Sequence, residues 1–504
     1  MNTRSSYSQV LRSSSIIGGA NGLNYLVALL RVKIVAVLLG PAGVGLVSLY
    51  VSAIGMVGTV SGLGIANSGV REVALSFSRQ DPIAIARTVR ILRRACWATG
   101  LLGWALAAAM APLLSTWVSG STEHAFAIAL LGVTLVLGAV SGGQTALLQG
   151  VRRIGDIARA NVAAMLLNTG VAIALYAWLG PRGIVPVLVA TAAVSLVVSW
   201  WFARRVQVEP VALSWPDTFA GARRLAGLGM AFMWSGLLIA GLDMATRSLV
   251  TRELGIEAAG LYQAAWAISG LFASFILSAM GADFYPRLTG VIHDHTLASS
   301  TVNEQTEIGL LLALPGLLGT LAFAPWMMEV FYTKQFVPGS ALLPWFVLGI
   351  FGRVVSWPMG FIQLAKGASR WFIVTETIFV GFQLGMLLWT LPRFGLVGVA
   401  YTFAITYFLY TLAMLWVAKV LIGFSWSAGV KKLLLLSGLF VLAGFGIRFA
   451  AAGWTGILAG GAVTLAGSIL SIRGLSARLG ADHRLVRVFC GMPGGKWLIS
   501  SKFF

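Results

Sequence analysis

Charge is what this chain has least of. Charged residues make up 10% of its 504 positions, against about 25% in a soluble domain, so a water-facing globular surface is excluded. It has only two cysteines, Cys96 and Cys490, far apart in the chain. They suggest no disulfide framework, metal site or thiol nucleophile. No Walker-type GxxxxGK[ST] is present, so the chain does not itself hydrolyse ATP. The stretch GLGIANSG at 62–69 lies inside an apolar run and follows no strand, which excludes a dinucleotide loop. The triplet HDH at 293–295 has metal-ligand residue types but stands alone in a polar loop, where solvation explains it. Long extracytoplasmic loops are missing as well. Short links such as GPRG at 180–183 and PRFG at 392–395 leave no room for the catalytic loop that a membrane polysaccharide polymerase or ligase needs. No catalytic residue, metal or cofactor is expected.

What is abundant is apolar. Hydrophobic residues are 58% of the chain and glycines number 60, with mean hydropathy +0.87. Glycine at that level suits helices that pack closely or bend within lipid. About twenty apolar residues span a bilayer, and on that rule fourteen runs qualify, from 15–40 and 43–69 to 432–450 and 453–472. The first is too long for a signal-peptide core and has no clear cleavage site, so it is read as an uncleaved span. The net charge of +20 then reflects topology rather than nucleic-acid binding. With the N-terminus inside, 27 of the 36 Lys and Arg fall in cytoplasmic segments, which places both termini in the cytoplasm.

The expected fold is an all-α polytopic membrane protein of about fourteen transmembrane helices. Two pseudo-symmetric six-helix lobes cover 1–210 and 211–425, a further helix pair 426–472, and a basic cytoplasmic tail 473–504. The lobes rest on an internal repeat. Leu39, Gly40, Gly45 and Leu46 match Leu254, Gly255, Gly260 and Leu261 at a shift of 215, and Arg31 and Arg71 match Arg247 and Arg287 at 216. Parallel repeats of this kind build transporters, with the substrate path at the repeat interface.

Three stretches, RVKIVAVLLGPAGVGLVSLY at 31–50, FYTKQFVPGSALLPW at 331–345 and FGLVGVAYTFAITYFLY at 394–410, resemble the multidrug/oligosaccharidyl-lipid/polysaccharide (MOP) exporter superfamily, and within it the O-antigen and polysaccharide flippases. The similarity covers most of the chain to about residue 420, and the basic tail has no counterpart in it. The resemblance implies a flippase of lipopolysaccharide or exopolysaccharide biosynthesis in the bacterial inner membrane. It would carry an undecaprenyl-pyrophosphate-linked oligosaccharide to the periplasmic leaflet by alternating access. Its partners would be that lipid-linked cargo, membrane lipids, a coupling proton or sodium ion, and other polysaccharide-assembly proteins. A lipid II flippase shares the fold and a cationic cavity. A multidrug or cation exporter needs an acidic cavity, whereas the intramembrane charges here lean basic.

Those charges supply the candidate site. On a helical wheel Asn21, Asn24, Ala28 and Arg31 fall within about 80° of arc, while Lys33 points about 200° away. Arg31 and the asparagines therefore face the cargo, and Lys33 anchors the helix end at the interface. Asp243 and Arg247 are four apart, the spacing of an intrahelical ion pair. They either neutralise each other, or Arg247 contacts phosphate while Asp243 couples an ion. Arg353 has no acidic residue within a helical turn, and Pro358 can bend its helix. Arginine suits this cargo because a guanidinium clamps phosphate bidentately. Glu376, near a cytoplasmic helix end, is read as hydrated at the mouth.

Overall fold

The computed structural model describes residues 3–78, 81–450 and 453–479. Side chains are described from residue 27 onward, except at 78, 154, 228, 231–232, 272–276, 278–283, 286 and 479. Every regular element among the described residues is helical, as lipid demands of a backbone that finds no water to bond with.

The first half runs α1 (Thr3–Gly62), α2 (Ile65–Ser78), α3 (Pro82–Ala109), α4 (Ala111–Ser119), α5 (Ala125–Leu131), α6 (Val133–Gly150), α7 (Ile154–Leu179) and α8 (Ile184–Ala203). The second half runs α9 (Trp215–Leu254), α10 (Ile256–Val291), α11 (His295–Ala322), α12 (Ala324–Phe331), α13 (Leu343–Ala365), α14 (Ser369–Phe394), α15 (Leu396–Ile422), α16 (Ala428–Ala450) and α17 (Gly453–Leu479). Nine helical runs among the described residues are long and apolar enough to cross a membrane. There are ten if α3 and α4, bent by 63° at their junction, count as one span. The chain is a multi-pass membrane protein. Two of these runs, 27–62 and 155–203, are themselves interrupted, at Gly40 and at Gly180–Gly183, so a single run holds more than one apolar segment.

Backbone punctuation recurs between the halves. Gly40 breaks α1 at φ 63°, ψ −174°, and Gly255 separates α9 from α10 at φ 88°, ψ 169°, 215 positions later. Gly180 ends α7 at φ 56°, and Gly395 ends α14 at φ 58°, again 215 later. Only glycine takes such positive φ without steric cost. Asp81 caps α3, accepting from the Ile83 and Ala84 N–H groups. Asp294 caps α11 in the same way, through Thr296 and Leu297, at an offset of 213. That cap is the role of the HDH triplet's aspartate. It satisfies helix donors, and no metal-holding group exists among the described residues.

The chain divides into two compact units. The first comprises 1–260 with 331–333, and the second 261–330 with 334–504. The first unit thus takes in α9. The physical reason lies at Gly64 and Gly229, where a Cβ on either would collide with the other segment's backbone. Bare glycines there let α9 lie directly against the α1–α2 turn. Met244 of α9 also joins the buried core of Leu49, Ala53, Leu114, Ile128 and Ile184.

In the second unit one core gathers Phe284, Leu288, Ile362, Met414 and Phe424. Another joins Leu310 and Leu311 of α11 to Leu433 of α16 and Leu475 of α17. Both members of the C-terminal pair are therefore packed against α11, and both are long and apolar enough to cross a membrane. Helix α17 runs on to Leu479, so the first seven residues of the expected tail are helical, and Arg478 pairs with Glu307 at 2.5 Å. Large apolar side chains such as Phe126, Trp178 and Trp454 are about four-fifths exposed. That is the surface a bilayer covers.

Candidate functional site

In the first unit, α1 carries Arg31 half-buried. Its charge acts on Tyr176, which α7 holds buried against α1. Among the described residues Arg31 has no carboxylate within ion-pair distance. The side chains of Asn21 and Asn24 lie outside the described residues. Lys33, expected to anchor the helix end, has a partner that the sequence did not indicate. It is half-buried, and its ammonium donates to the Tyr332 backbone carbonyl. That partner lies 299 positions away, beyond any sequence pattern.

The expected intrahelical pair on α9 is formed. Arg247, 8% exposed, meets the Asp243 carboxylate, which is about a third exposed. Burial of the cation is tolerable because its counter-ion sits one turn earlier on the same helix.

Also in this unit, a polar seam that sequence reading missed joins α6, α7 and α8. Asn168 donates to Ser195 at 3.0 Å, Ser141 to Ser199 at 3.0 Å, and Ser199 to Gln144 at 2.7 Å. Such bonds hold helices together where the hydrophobic effect is silent. Their signal, serines recurring at i and i+4 on α8 (195, 199), was present in the sequence. Beside the seam, Arg94 fixes the α8–α9 linker, donating to the Leu213 carbonyl at 3.2 Å and to Thr218 at 2.6 Å.

The second unit gathers a fuller constellation around Arg353 on α13. Gly349 and Gly352 let α15 approach closely, since a Cβ on Gly352 would sit 3.1 Å from the Tyr407 carbonyl. Thr411 donates to the Gly352 carbonyl at 3.0 Å. This brings the Arg353 guanidinium 5.8 Å from the Tyr407 ring centroid, within cation–π range. One turn on, Tyr410 donates to the Glu376 carboxylate on α14 at 2.8 Å.

Glu376, expected to be hydrated at the mouth, has a protein partner as well. It is half-buried, bonded to a tyrosine, and acted on by Arg353 from beyond ion-pair distance. Arg353 itself has no ion-paired carboxylate among the described residues. Sequence reading found Arg353 and missed Tyr407 and Tyr410. Their i, i+3 spacing in YFLY already put them on one face.

These groups offer a cation and hydroxyls within helices otherwise apolar. An arginine so placed attracts an anion, and tyrosine hydroxyls suit polyols. Nothing in the arrangement positions a nucleophile beside a base.

The profile of a family described as "Polysaccharide biosynthesis protein" matches residues 34–341. The "Lipid III flippase" of Escherichia coli (strain K12) is 22% identical over 392 residues, covering 75% of this chain and 90% of that protein. Among solved structures, "Lipid II flippase MurJ, inward closed conformation" superposes with TM-score 0.63 at 13% identity, over 91% of this chain and 99% of its own. An inward-facing multidrug resistance MATE family transporter of the MOP superfamily gives TM-score 0.61 at 17% identity, over 81% and 96%. These relatives are flippases and transporters, not enzymes, and the solved structures establish the fold.

Proposed function

Because the chain belongs to the polysaccharide biosynthesis protein family, with the fold of the MOP superfamily, we propose that it is a flippase for an undecaprenyl-pyrophosphate-linked oligosaccharide. The cargo is an O-antigen or exopolysaccharide repeat unit, moved from the cytoplasmic to the periplasmic leaflet of a bacterial inner membrane. The observation that carries this reading is Arg353: a half-buried guanidinium within a membrane helix, with no ion-paired carboxylate among the described residues. A cation in that position costs at least a few kcal/mol unless something anionic answers it. A pyrophosphate does so.

In this reading Arg353 and Arg31 bind the phosphates while the Tyr407 and Tyr410 face meets sugar hydroxyls. Asn21 and Asn24 are proposed as further cargo contacts on the sequence pattern alone. Arg247, already neutralised by Asp243, contributes less, and Asp243 couples an ion only if the pair opens. The repeats alternate access as in other parallel-repeat transporters. A drug-cation exporter is disfavoured because the unanswered charges are positive. The lipid III cargo named for the Escherichia coli relative is a second candidate of the same chemistry, distinguished by which pathway the chain rescues.

The test is complementation of bacterial strains lacking an O-antigen flippase or a lipid III flippase, with surface glycan read at matched protein level. Arg353→Ala should reduce export at least about tenfold, and Arg353→Lys should retain part of it, since lysine keeps the charge without the bidentate fork. Normal export by both Arg353→Ala and Arg31→Ala would defeat the phosphate assignment.

A further inference from the structure

We infer a second lipid site, on the first unit, that takes the phosphate of an anionic phospholipid from the surrounding bilayer. A cavity of about 480 Å³ opens between α3, α6 and α8, lined by Arg93, Trp97, Gln144, Trp200 and Arg204. A wider vestibule of about 970 Å³ adjoins it, sharing Arg93, Trp200 and Arg204 and adding Glu209.

Its position is that of the membrane boundary. Arg93 stands where α3 passes from its basic first half, ARTVRILRR, into apolar sequence, and Arg204 caps the end of α8. Trp97 and Trp200 sit one turn inside these arginines and are about half exposed, as is Val197 on the same wall. The groove therefore opens to what surrounds the protein. Tryptophan at that depth is the ordinary mark of the interface.

The charges fit a phosphodiester. The Arg204 guanidinium lies 3.5 Å from the Trp201 ring centroid and 5.0 Å from that of Trp200. Stacking holds its plane and leaves the N–H edge to donate. Its neighbour Arg205 is answered by Asp156 at 3.7 Å, but Arg204 and Arg93 have no carboxylate within ion-pair distance among the described residues. Gln144 accepts from Ser199 through its oxygen, leaving its amide N–H₂ without a partner among the described residues. Two guanidiniums and an amide thus converge on one cavity whose remaining wall, Val140, Leu196 and Val197, is apolar. A headgroup phosphate with its first acyl carbons satisfies both parts, as in other basic pockets between membrane helices. Glu209, in the outer vestibule, disfavours a second negative charge there and so favours a singly charged phosphodiester over a pyrophosphate.

The site is independent of the cargo proposed above, because binding is read without transport. The delipidated full chain is offered phosphatidylglycerol, phosphatidylethanolamine or undecaprenyl pyrophosphate at equal concentration, and retained lipid is counted by native mass spectrometry. Each interfacial arginine is worth roughly fivefold in anionic-lipid affinity. Wild type should retain phosphatidylglycerol at least about tenfold over phosphatidylethanolamine, and Arg93→Gln/Arg204→Gln should abolish the preference. Arg153→Gln/Arg159→Gln, which removes as much charge outside the groove, should leave it intact. If the groove double variant does not elute as a folded species, Arg204→Gln alone is read, with about a fivefold loss expected. Equal retention of the two phospholipids by wild type overturns the site, as does wild-type retention by the groove variant. Loss of undecaprenyl pyrophosphate with phosphatidylglycerol unchanged would assign the groove to cargo and overturn the inference.

Discussion

At the scale of single residues, the intramembrane charges separate into answered and unanswered ones. Arg247 is answered by Asp243, so Asp243→Asn should destabilise the protein by about 2 kcal/mol. That is below the cost for a fully buried pair, because Asp243 keeps partial contact with its surroundings. Replacing both by apolar residues, Asp243→Leu with Arg247→Met, should regain most of the loss. Thermal unfolding in detergent reads both, and a double variant no more stable than Asp243→Asn would contradict the pairing. Tyr410→Phe removes the hydroxyl donor to Glu376 and should cost about 1 kcal/mol, checked by the same melt. The pairing on α9 was legible because both partners lie one turn apart. The Tyr410–Glu376 bond and the tie between Lys33 and Tyr332 were not, since each joins residues that only folding brings near. A helical wheel gives the direction of a side chain and says nothing about what waits there.

At the scale of elements, close backbone approach decides the packing. A Cβ on Gly260 would collide with the Pro41 carbonyl, and one on Gly45 with the Ile256 carbonyl. The repeat-related glycines thus serve a single crossing of α1 and α10. Gly260→Ala should cost about 1–3 kcal/mol, because the obstacle is backbone and cannot rotate away. Gly438→Ala, with open space around it, should be neutral or stabilising by up to about 1 kcal/mol. Equal melting temperatures for the two variants would count against the crossing. The breaks at Gly40 and Gly255 could be read from sequence because glycine in an apolar run marks them. The placement of α9 in the first unit could not. It depends on Gly229 meeting Gly64, two small residues without a pattern of their own.

At the scale of the whole molecule, the distribution of basic residues sets orientation. A fluorescent protein fused after Phe504 should fluoresce on the cytoplasmic side. Alkaline phosphatase inserted beside Arg182 should be active outside, and the reverse pattern would invert the topology. Sugar identity, by contrast, left no trace in composition. Any polyol meets the same tyrosine and asparagine chemistry, so the cargo's sugars are settled by complementation rather than by inspection.

The paired breaks at Gly40 with Gly255 and Gly180 with Gly395 bear on ancestry. Side chains on the lipid-facing surface are interchangeable among leucine, valine and phenylalanine, so they drift without penalty. A position that only an achiral residue fills cannot drift. If the halves descend from one duplicated gene, its memory survives in turn geometry and has faded from side-chain identity. Alignments that weight positive-φ glycines above apolar matches should recover kinship where ordinary scoring sees only greasy helices.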